Sequence, residues 1–327
     1  MKKKLAMILA GVLALSLVAC GSSSDSSEET AEETTEEAAE ETEEATEAET
    51  DEAAEETTEE EVETAEAAGA DEDAAWDFSE SKYLSDGVLT VALNSTFPPF
   101  EYVGDGTDNF EAITSNEGNV TGFDVAMMNE IGLRLGVDIE IEDMDFDGIV
   151  AAIGVKVDCA ATGMTITEER SEAVTFSTAY YNATQAVLLP IDSEISSAEE
   201  LDGLTIGVQA GTTGLYVAED LQAQYSSVEI SSVKSFNQAV LDLVNGKVDA
   251  VIIDEVPGEA FVSNYPDDIK LVEGSVFEFD VEQYGIAMPQ DDEILVEAVN
   301  SALADMMEDG TYDALVEEYI SNYEAEE

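Results

Sequence analysis

The side chain best suited to ligand chemistry is Arg170, which ends the segment GMTITEER. Thr167 followed by two acids is typical of a helix N-cap, so Arg170 falls in the first helical turn, where a cation opposes the helix dipole. One interpretation is a surface Arg paired with Glu169 or a nearby Asp. The other is a guanidinium fork that binds a carboxylate, with Thr165 and backbone N–H groups completing the contact.

Two further positions, one suited to an anion and one to a cation, follow apolar strands. Thr213 lies in the turn GTTG (residues 211–214), and free N–H groups at a helix start attract anions. Asp254 ends the run VII. Its carboxylate either takes an ammonium group at a cleft edge or caps the next turn beside Pro257.

The loop after the first strand carries Asn94, Phe97 and Phe100, and two prolines stiffen it. Aromatic rings there either fill the core or stack on a ligand. The chain has no His and two Cys, which excludes His-based triads, His-ligated metals and thiolate metal sites. No Walker-A loop or dinucleotide fingerprint is present. We therefore expect no cofactor, no metal and no catalytic residue, with Cys159 filling core.

Short apolar strands alternate with helix-period segments, which predicts an α/β fold. Strands are expected at residues 88–94, 139–144, 157–162, 204–209, 228–233 and 248–254, and a helix over residues 294–307 with Gly310 as its C-cap. A Phe-led helix that feeds a strand through a Lys turn occurs twice, from Phe146 and from Phe236. This repeat indicates two similarly built lobes with a ligand cleft between them.

The composition is strongly acidic, with 77 Asp and Glu, 10 Lys and Arg, and a formal net charge of −67. Residues 21–75 consist mostly of Glu, Thr, Ala and Ser, which predicts a disordered acidic linker. Nucleic acid and anionic membrane surfaces are excluded as partners because both require a positive surface.

Residues 1–20 have the pattern of an export signal, with three Lys followed by an apolar run. The run is shorter than the about 20 residues that span a bilayer. Its end, LVACG, resembles the lipobox of bacterial lipoproteins, in which Cys20 receives the lipid. An ordinary signal peptide with a chance Cys is the alternative. We expect a chain lipid-anchored through Cys20 on the outer face of the bacterial cytoplasmic membrane.

From about residue 84 to 323 the sequence resembles the amino-acid-binding receptors of ABC importers, solute-binding protein family 3. The motifs are FPPFEY (97–102), GFDV (122–125), GMTITEER (163–170), GTT (211–213), VDA (248–250), YGIA (284–287) and GTYD (310–313). The resemblance implies a two-lobed periplasmic-binding-protein-like fold of type II. Lobe 1 would comprise residues 84–188 and 285–327 and lobe 2 residues 189–284, with a two-strand hinge near 187–190 and 282–284.

The resemblance also assigns the ligand contacts. Arg170 and the backbone at Thr165 and Thr213 would hold an α-carboxylate, while Asp254, Gly163 and the Thr165 hydroxyl would hold an ammonium. Two rings would sandwich the ligand, those of Phe97 and Phe146. The full set of expected ligand-binding residues is Asn94, Phe97, Phe146, Thr162, Gly163, Thr165, Arg170, Gln209, Thr213 and Asp254. The expected partners are an amino acid and a membrane permease, and the chain is expected to be a monomer.

Two departures from the family pattern narrow the range of expected ligands. Receptors for basic amino acids tend to carry an acid where this chain has Asn94. Gln209 and Ile253 replace the charged or ring donors of the glutamine receptor. We favour a neutral polar amino acid, glutamine or cystine. The extra residues 104–119 could reach over the cleft.

Two other functions are compatible with the same fold. One is an enzyme similar to a cyclohexadienyl dehydratase, for which Glu101 or Glu282 would be the added acid. The other is a ligand-sensing module that docks on a signalling receptor.

Overall fold

The computed structural model describes residues 76–104, 113–115 and 118–323. The export signal, Cys20 and the acidic linker lie outside these residues. The strands are β1 (Val88–Leu93), β2 (Thr96–Phe97), β3 (Glu101–Val103), β4 (Ile113–Ser115), β5 (Gly118–Thr121), β6 (Asp138–Asp143), β7 (Cys159–Ala160), β8 (Thr175–Phe176), β9 (Tyr181–Pro190), β10 (Thr205–Gln209), β11 (Glu229–Val233), β12 (Ala250–Asp254), β13 (Ile269–Val272), β14 (Val281–Tyr284) and β15 (Ala287–Met288).

The α-helices are α1 (Phe123–Leu135), α2 (Phe146–Ala152), α3 (Glu168–Ser171), α4 (Thr213–Gln224), α5 (Phe236–Val244), α6 (Glu255–Asn264), α7 (Glu293–Asp309) and α8 (Thr311–Leu315). Short 3₁₀ turns occur at Ala198–Leu201 and Gly274–Phe277, and a π-helical turn at Val316–Ser321 follows α8. Among the described residues, no helix combines the length and apolar composition that a membrane crossing requires.

The strands form two sheets, one in each lobe of a two-lobed α/β fold of type II. The first sheet has the order β2-β3-β5-β4-β6-β1-β7-β15-β8, and the second has the order β11-β10-β12-β9-β13. In the first, β1 pairs in parallel with β6 and β7; in the second, β10 pairs in parallel with β11 and β12. The two halves therefore repeat one parallel β/α arrangement.

The expected strands are present, with one much shorter than predicted. Only Cys159–Ala160 is extended within residues 157–162. The chain leaves the ladder by Gly163, whose N–H donates to the Asp124 side chain and whose φ is +51°. The added residues 104–119 contribute β4, which lies between β5 and β6 in the first sheet. Residues 105–112, 116 and 117 of this stretch lie outside the described residues.

A two-stranded ribbon joins the lobes, and its first strand lies earlier in the chain than the predicted hinge. Residues 281–284 of β14 pair with residues 184–181 of β9 outside both main sheets. Residues 187–190, expected at the first crossover, instead pair with β12 and β13 inside the second sheet. They are there because the apolar run from Ala186 to Leu189 is fully buried between β12 and β13. The crossover is residues 181–184, so residues 185–188 belong with the second sheet.

The cores follow the apolar pattern of the sequence. Helix α7 ends at Gly310, which adopts the left-handed conformation of a C-cap. Most of the apolar side chains of α7 are buried, but Met307 is 42% exposed. Cys159 is fully buried, as predicted, and burial raises the pKa of its thiol.

Candidate functional site

A narrow cleft cavity lies between the two sheets, at the carboxyl ends of their parallel strands. All ten residues expected to bind a ligand line it, and so do Glu101, Thr212 and Phe236. The structure thus brings together residues far apart in sequence, while their roles toward a ligand remain predictions.

Arg170 is buried at this cavity, 5% exposed. Thr167 caps α3 by accepting a hydrogen bond from the Arg170 N–H at 3.1 Å, as predicted. The guanidinium donates from Nη1 to the Thr165 carbonyl at 2.6 Å and from Nη2 to the Gly211 carbonyl at 3.0 Å. No ion pair among the described side chains includes Arg170, so the surface-pair interpretation is wrong. Burial lowers the pKa of the guanidinium, so an anion in the cavity would stabilise its charge.

Asp254 lies at the end of β12 and is 7% exposed. It occupies the N-cap position of α6, but its side chain makes no capping hydrogen bond, so the capping alternative does not hold. The Tyr284 hydroxyl donates to Asp254 Oδ1 at 2.6 Å. Burial, with the negative charge of Glu282, raises the pKa of Asp254 to about 7. A cation at this carboxyl would therefore be strongly favoured.

Glu282 on β14 connects the two walls of the cleft. Its Oε2 accepts hydrogen bonds from the Thr165 hydroxyl at 2.6 Å and from the Thr213 hydroxyl at 2.7 Å. Thr165 belongs to the first lobe, whereas Thr213 begins α4 of the second. Because both hydroxyl protons are used in this way, these oxygens can offer only lone pairs to a ligand.

At the opposite end of the cavity two side-chain amides meet. Gln209 Nε2 donates to Asn94 Oδ1 at 2.9 Å and to the Lys234 carbonyl at 3.0 Å. Asn94 Nδ2 donates to the Met144 carbonyl at 2.9 Å. Since the Gln209 N–H groups are used within the protein, the amide presents its oxygen to a ligand. This end of the site carries no formal charge on either amide.

Aromatic rings form the remaining walls. Phe97 stacks on Phe236, with centroids 5.5 Å apart, and the guanidinium of Arg170 lies 5.4 Å from the centre of the Phe146 ring. Phe146 thus orients Arg170 through a cation–π contact, besides the expected role as one half of an aromatic sandwich.

Three wall residues were not expected to bind ligand. Phe236 begins the second copy of the repeated helix, as Phe146 begins the first, so the repeat was a usable signal. Thr212 sits within the recognised GTT motif. The sequence suggests Glu101 only as the acid of an enzyme. Its burial depends on packing that no local pattern reveals.

The sequence is similar to known binding proteins over most of its length. Residues 89–322 match the family model "Bacterial extracellular solute-binding proteins, family 3". The chain is 30% identical over 240 residues to the "Probable histidine-binding protein" of Neisseria gonorrhoeae, covering 72% of this chain and 83% of that one. It is also 30% identical over 242 residues to the "L-cystine-binding protein TcyJ" of Escherichia coli K12, covering 73% and 85%.

Solved structures agree with the sequence comparison. The structure titled "An ancestral arginine-binding protein bound to glutamine" superposes with a TM-score of 0.64 at 35% identity, covering 72% of this chain and 99% of that one. The similarity therefore spans both sheets and the cavity between them.

Proposed function

The chain belongs to family 3 of the bacterial extracellular solute-binding proteins, and from this membership we propose that it captures a polar amino acid and delivers it to an ABC transporter permease. The observation that carries the proposal is the cavity itself, in which a buried guanidinium and a buried carboxyl face one small volume without pairing with each other. A free amino acid has the complementary charges on its α-carbon.

The α-carboxylate of the ligand would bind at Arg170. The guanidinium is fixed in place by the Thr165 and Gly211 carbonyls, and its remaining N–H groups can form charge-assisted bonds to carboxylate oxygens. Thr213, the first residue of α4, adds a backbone N–H at the positive end of the helix dipole.

The α-ammonium would bind at Asp254, with the Gly163 carbonyl and the Thr165 oxygen as further acceptors. The Gly163 N–H donates to Asp124 at 2.7 Å, which leaves the carbonyl as its ligand group. The Thr165 hydroxyl donates to Glu282, so its oxygen accepts from the ammonium. Three acceptors match the three N–H donors of an ammonium group.

The ligand side chain would extend toward Asn94 and Gln209. Gln209 presents its amide oxygen, whereas Asn94 Oδ1 already accepts from Gln209 and from the Thr96 hydroxyl, so Asn94 offers its second Nδ2 hydrogen. One uncharged acceptor beside one uncharged donor favours a neutral polar side chain. We propose a neutral polar amino acid, glutamine or cystine, and this pairing matches the amide of glutamine. Turnover forms no part of this function; the ligand leaves unchanged when the lobes reopen at the ribbon of residues 181–184 and 281–284.

A thermal-shift screen of the mature chain against the common amino acids and cystine tests the proposal. A ligand at 100 times its Kd should stabilise the fold by about 2.7 kcal/mol. We expect the largest shift with glutamine or cystine. The absence of a shift with every amino acid, or formation of a new product during incubation, would contradict capture without turnover.

We also propose that Cys20 carries a lipid that holds the receptor at the membrane, supported by the lipobox-like LVACG. Cys20→Ser should move the chain from the membrane fraction to the soluble fraction of the producing cells. Unchanged fractionation of this variant would count against the anchor.

A further inference from the structure

Two buried carboxyl groups beside the cavity, those of Glu101 and Asp124, take no part in the proposed ligand contacts. Glu101 begins β3 and is 1% exposed, while Asp124 lies in the first turn of α1 and is fully buried. The Asp124 N–H donates to the Phe100 carbonyl at 2.9 Å, and the Phe123 N–H donates to the Pro99 carbonyl at 3.0 Å. These bonds hold the start of α1 against the residues before β3.

One oxygen of each carboxyl group binds the wall of the cavity. The Thr162 hydroxyl donates to Glu101 Oε1 at 2.5 Å, and the Gly163 N–H donates to Asp124 Oδ2 at 2.7 Å. The Tyr180 hydroxyl donates to the same Asp124 oxygen at 2.9 Å. Each of two consecutive cavity residues is thus held by one member of the pair.

The other two oxygens, Glu101 Oε2 and Asp124 Oδ1, are buried and accept no hydrogen bond from a donor in the described part of the chain. The two carboxyl groups bind consecutive residues, Thr162 and Gly163, which places them side by side, and the charge of Asp124 raises the pKa of Glu101. No ion pair within residues 76–104, 113–115 and 118–323 includes either of them. Two ionised carboxylates in contact in a buried site repel strongly, and one proton between them removes the repulsion and satisfies both oxygens.

We propose that Glu101 and Asp124 share one proton at neutral pH, and that this proton-sharing pair positions Thr162 and Gly163 at the ligand cavity. Glu101 donates the shared proton and Asp124 accepts it. The two residues are positioning residues, because they act on the ligand through the cavity wall.

The charges around the pair favour keeping the proton. Burial raises the pKa of both carboxyl groups, and their mutual charge raises that of Glu101 further. The titratable groups that face them are Asp143 on β6, Tyr180, and Tyr312 on α8. Asp143 adds negative charge, and neither phenol supplies a positive one.

The pH dependence of the stability of the ligand-free chain tests whether Glu101 and Asp124 share a proton. Unfolded carboxyl groups ionise near pH 4, so a folded pair that keeps one proton loses stability as the pH rises from about 4 through neutrality. In Glu101→Gln an amide N–H replaces the shared proton. Between pH 5.5 and 7.5, the folding equilibrium constant of the parent should fall relative to this variant by about tenfold per pH unit. Urea unfolding at several pH values measures it.

Glu297→Gln, an exposed substitution on α7, is the matched control and should keep the parent's pH dependence. Parallel stability curves for the parent and Glu101→Gln would overturn proton sharing. This measurement needs no ligand, so its outcome is independent of the proposed function.

Ligand affinity tests whether the pair positions Thr162 and Gly163, and this test rests on the proposed function. With the amino acid that gives the largest thermal shift, Glu101→Gln should bind within about threefold of the parent at pH 7, because its oxygen still accepts from Thr162 and its N–H still reaches Asp124. Glu101→Ala should bind at least about tenfold more weakly, since Thr162 loses its acceptor. Parent-like binding by Glu101→Ala, or equal losses in both variants, would overturn the positioning role. If Glu101→Ala does not fold, the affinity of Glu101→Gln is the test. A loss of affinity above about tenfold in Glu101→Gln would contradict the inference.

Discussion

At the scale of single residues, Arg170 and Asp254 carry the charges that a zwitterion needs. Sequence patterns identified both, but two interpretations of each remained, because local spacing does not report burial. Among the residues that the structure describes, the buried guanidinium forms no ion pair and the Asp254 side chain makes no capping bond, and both groups line the cavity. Glu101 was expected at the cleft only as the acid of an enzyme, since local sequence does not reveal its burial beside Thr162.

Replacement of Arg170 by Ala should remove most of the ligand affinity. The loss of one partner from a buried charge pair costs about 2–5 kcal/mol, and calorimetric titration of the variant measures the loss. Arg134→Ala is the control, because Arg134 forms ion pairs with Glu130 and Asp309 on the surface of α1. It should bind as the parent does. Binding by Arg170→Ala at the parent's affinity would refute the carboxylate assignment.

The raised pKa of Asp254, about 7, predicts affinity that depends on pH. The ammonium requires the ionised carboxylate, so affinity should weaken as the pH falls from 8 to 6, approaching about tenfold per unit below the pKa. Stability responds in the opposite sense: this carboxyl costs stability as the pH rises from about 4 to 7. In Glu282→Gln the neighbouring charge is absent, and the decline in affinity should move to lower pH. A flat affinity profile in the parent would be inconsistent with ammonium binding at Asp254.

At the scale of elements, the apolar runs predicted most strands well, because a buried parallel strand needs a continuous apolar segment. Strand β9 was not among the expected strands. Its first four residues pair with β14 and the rest with β12 and β13, and this division depends on partners distant in sequence. The predicted hinge was displaced for that reason.

The turn before α4 makes a close approach across the cleft. Gly211 has a φ of +80°, and a Cβ there would lie 2.9 Å from the Asp147 Cα at the start of α2. Gly211→Ala should therefore hinder closure and weaken ligand binding by at least about tenfold, beyond a backbone strain of about 1 kcal/mol. Calorimetry measures the affinity, and small-angle scattering measures the opening.

Gly203→Ala is the matched control, because Gly203 has a φ of +89° but no atom within 4 Å of its added Cβ. It should lose a similar amount of stability and keep its affinity. Equal affinities in the two variants would show that the approach of Gly211 to Asp147 is not needed for closure.

At the scale of the whole molecule, the structure consists of two repeated β/α lobes, a two-strand ribbon and a cavity between the sheets, and we propose that the lobes close around a small ligand. The α/β class and the two lobes follow from the strand pattern and the repeated Phe-led unit. The cleft also follows from the repeated unit, and the family resemblance named ten of its wall residues. The contacts between the lobes, such as Gln209 to Asn94 and Arg170 to Gly211, do not follow from local patterns, since they join residues distant in sequence.

The central claim is that one cavity holds both charges of an amino acid. Calorimetric titration of the mature chain with glutamine, or the best amino acid from the screen, and with its decarboxylated and deaminated analogues tests it directly. For glutamine the analogues are 4-aminobutanamide and 4-carbamoylbutanoic acid. We predict that each analogue binds at least about 100-fold more weakly, since each leaves a buried charge at Arg170 or Asp254 without a partner. An analogue that binds within a few fold of the amino acid would contradict the account.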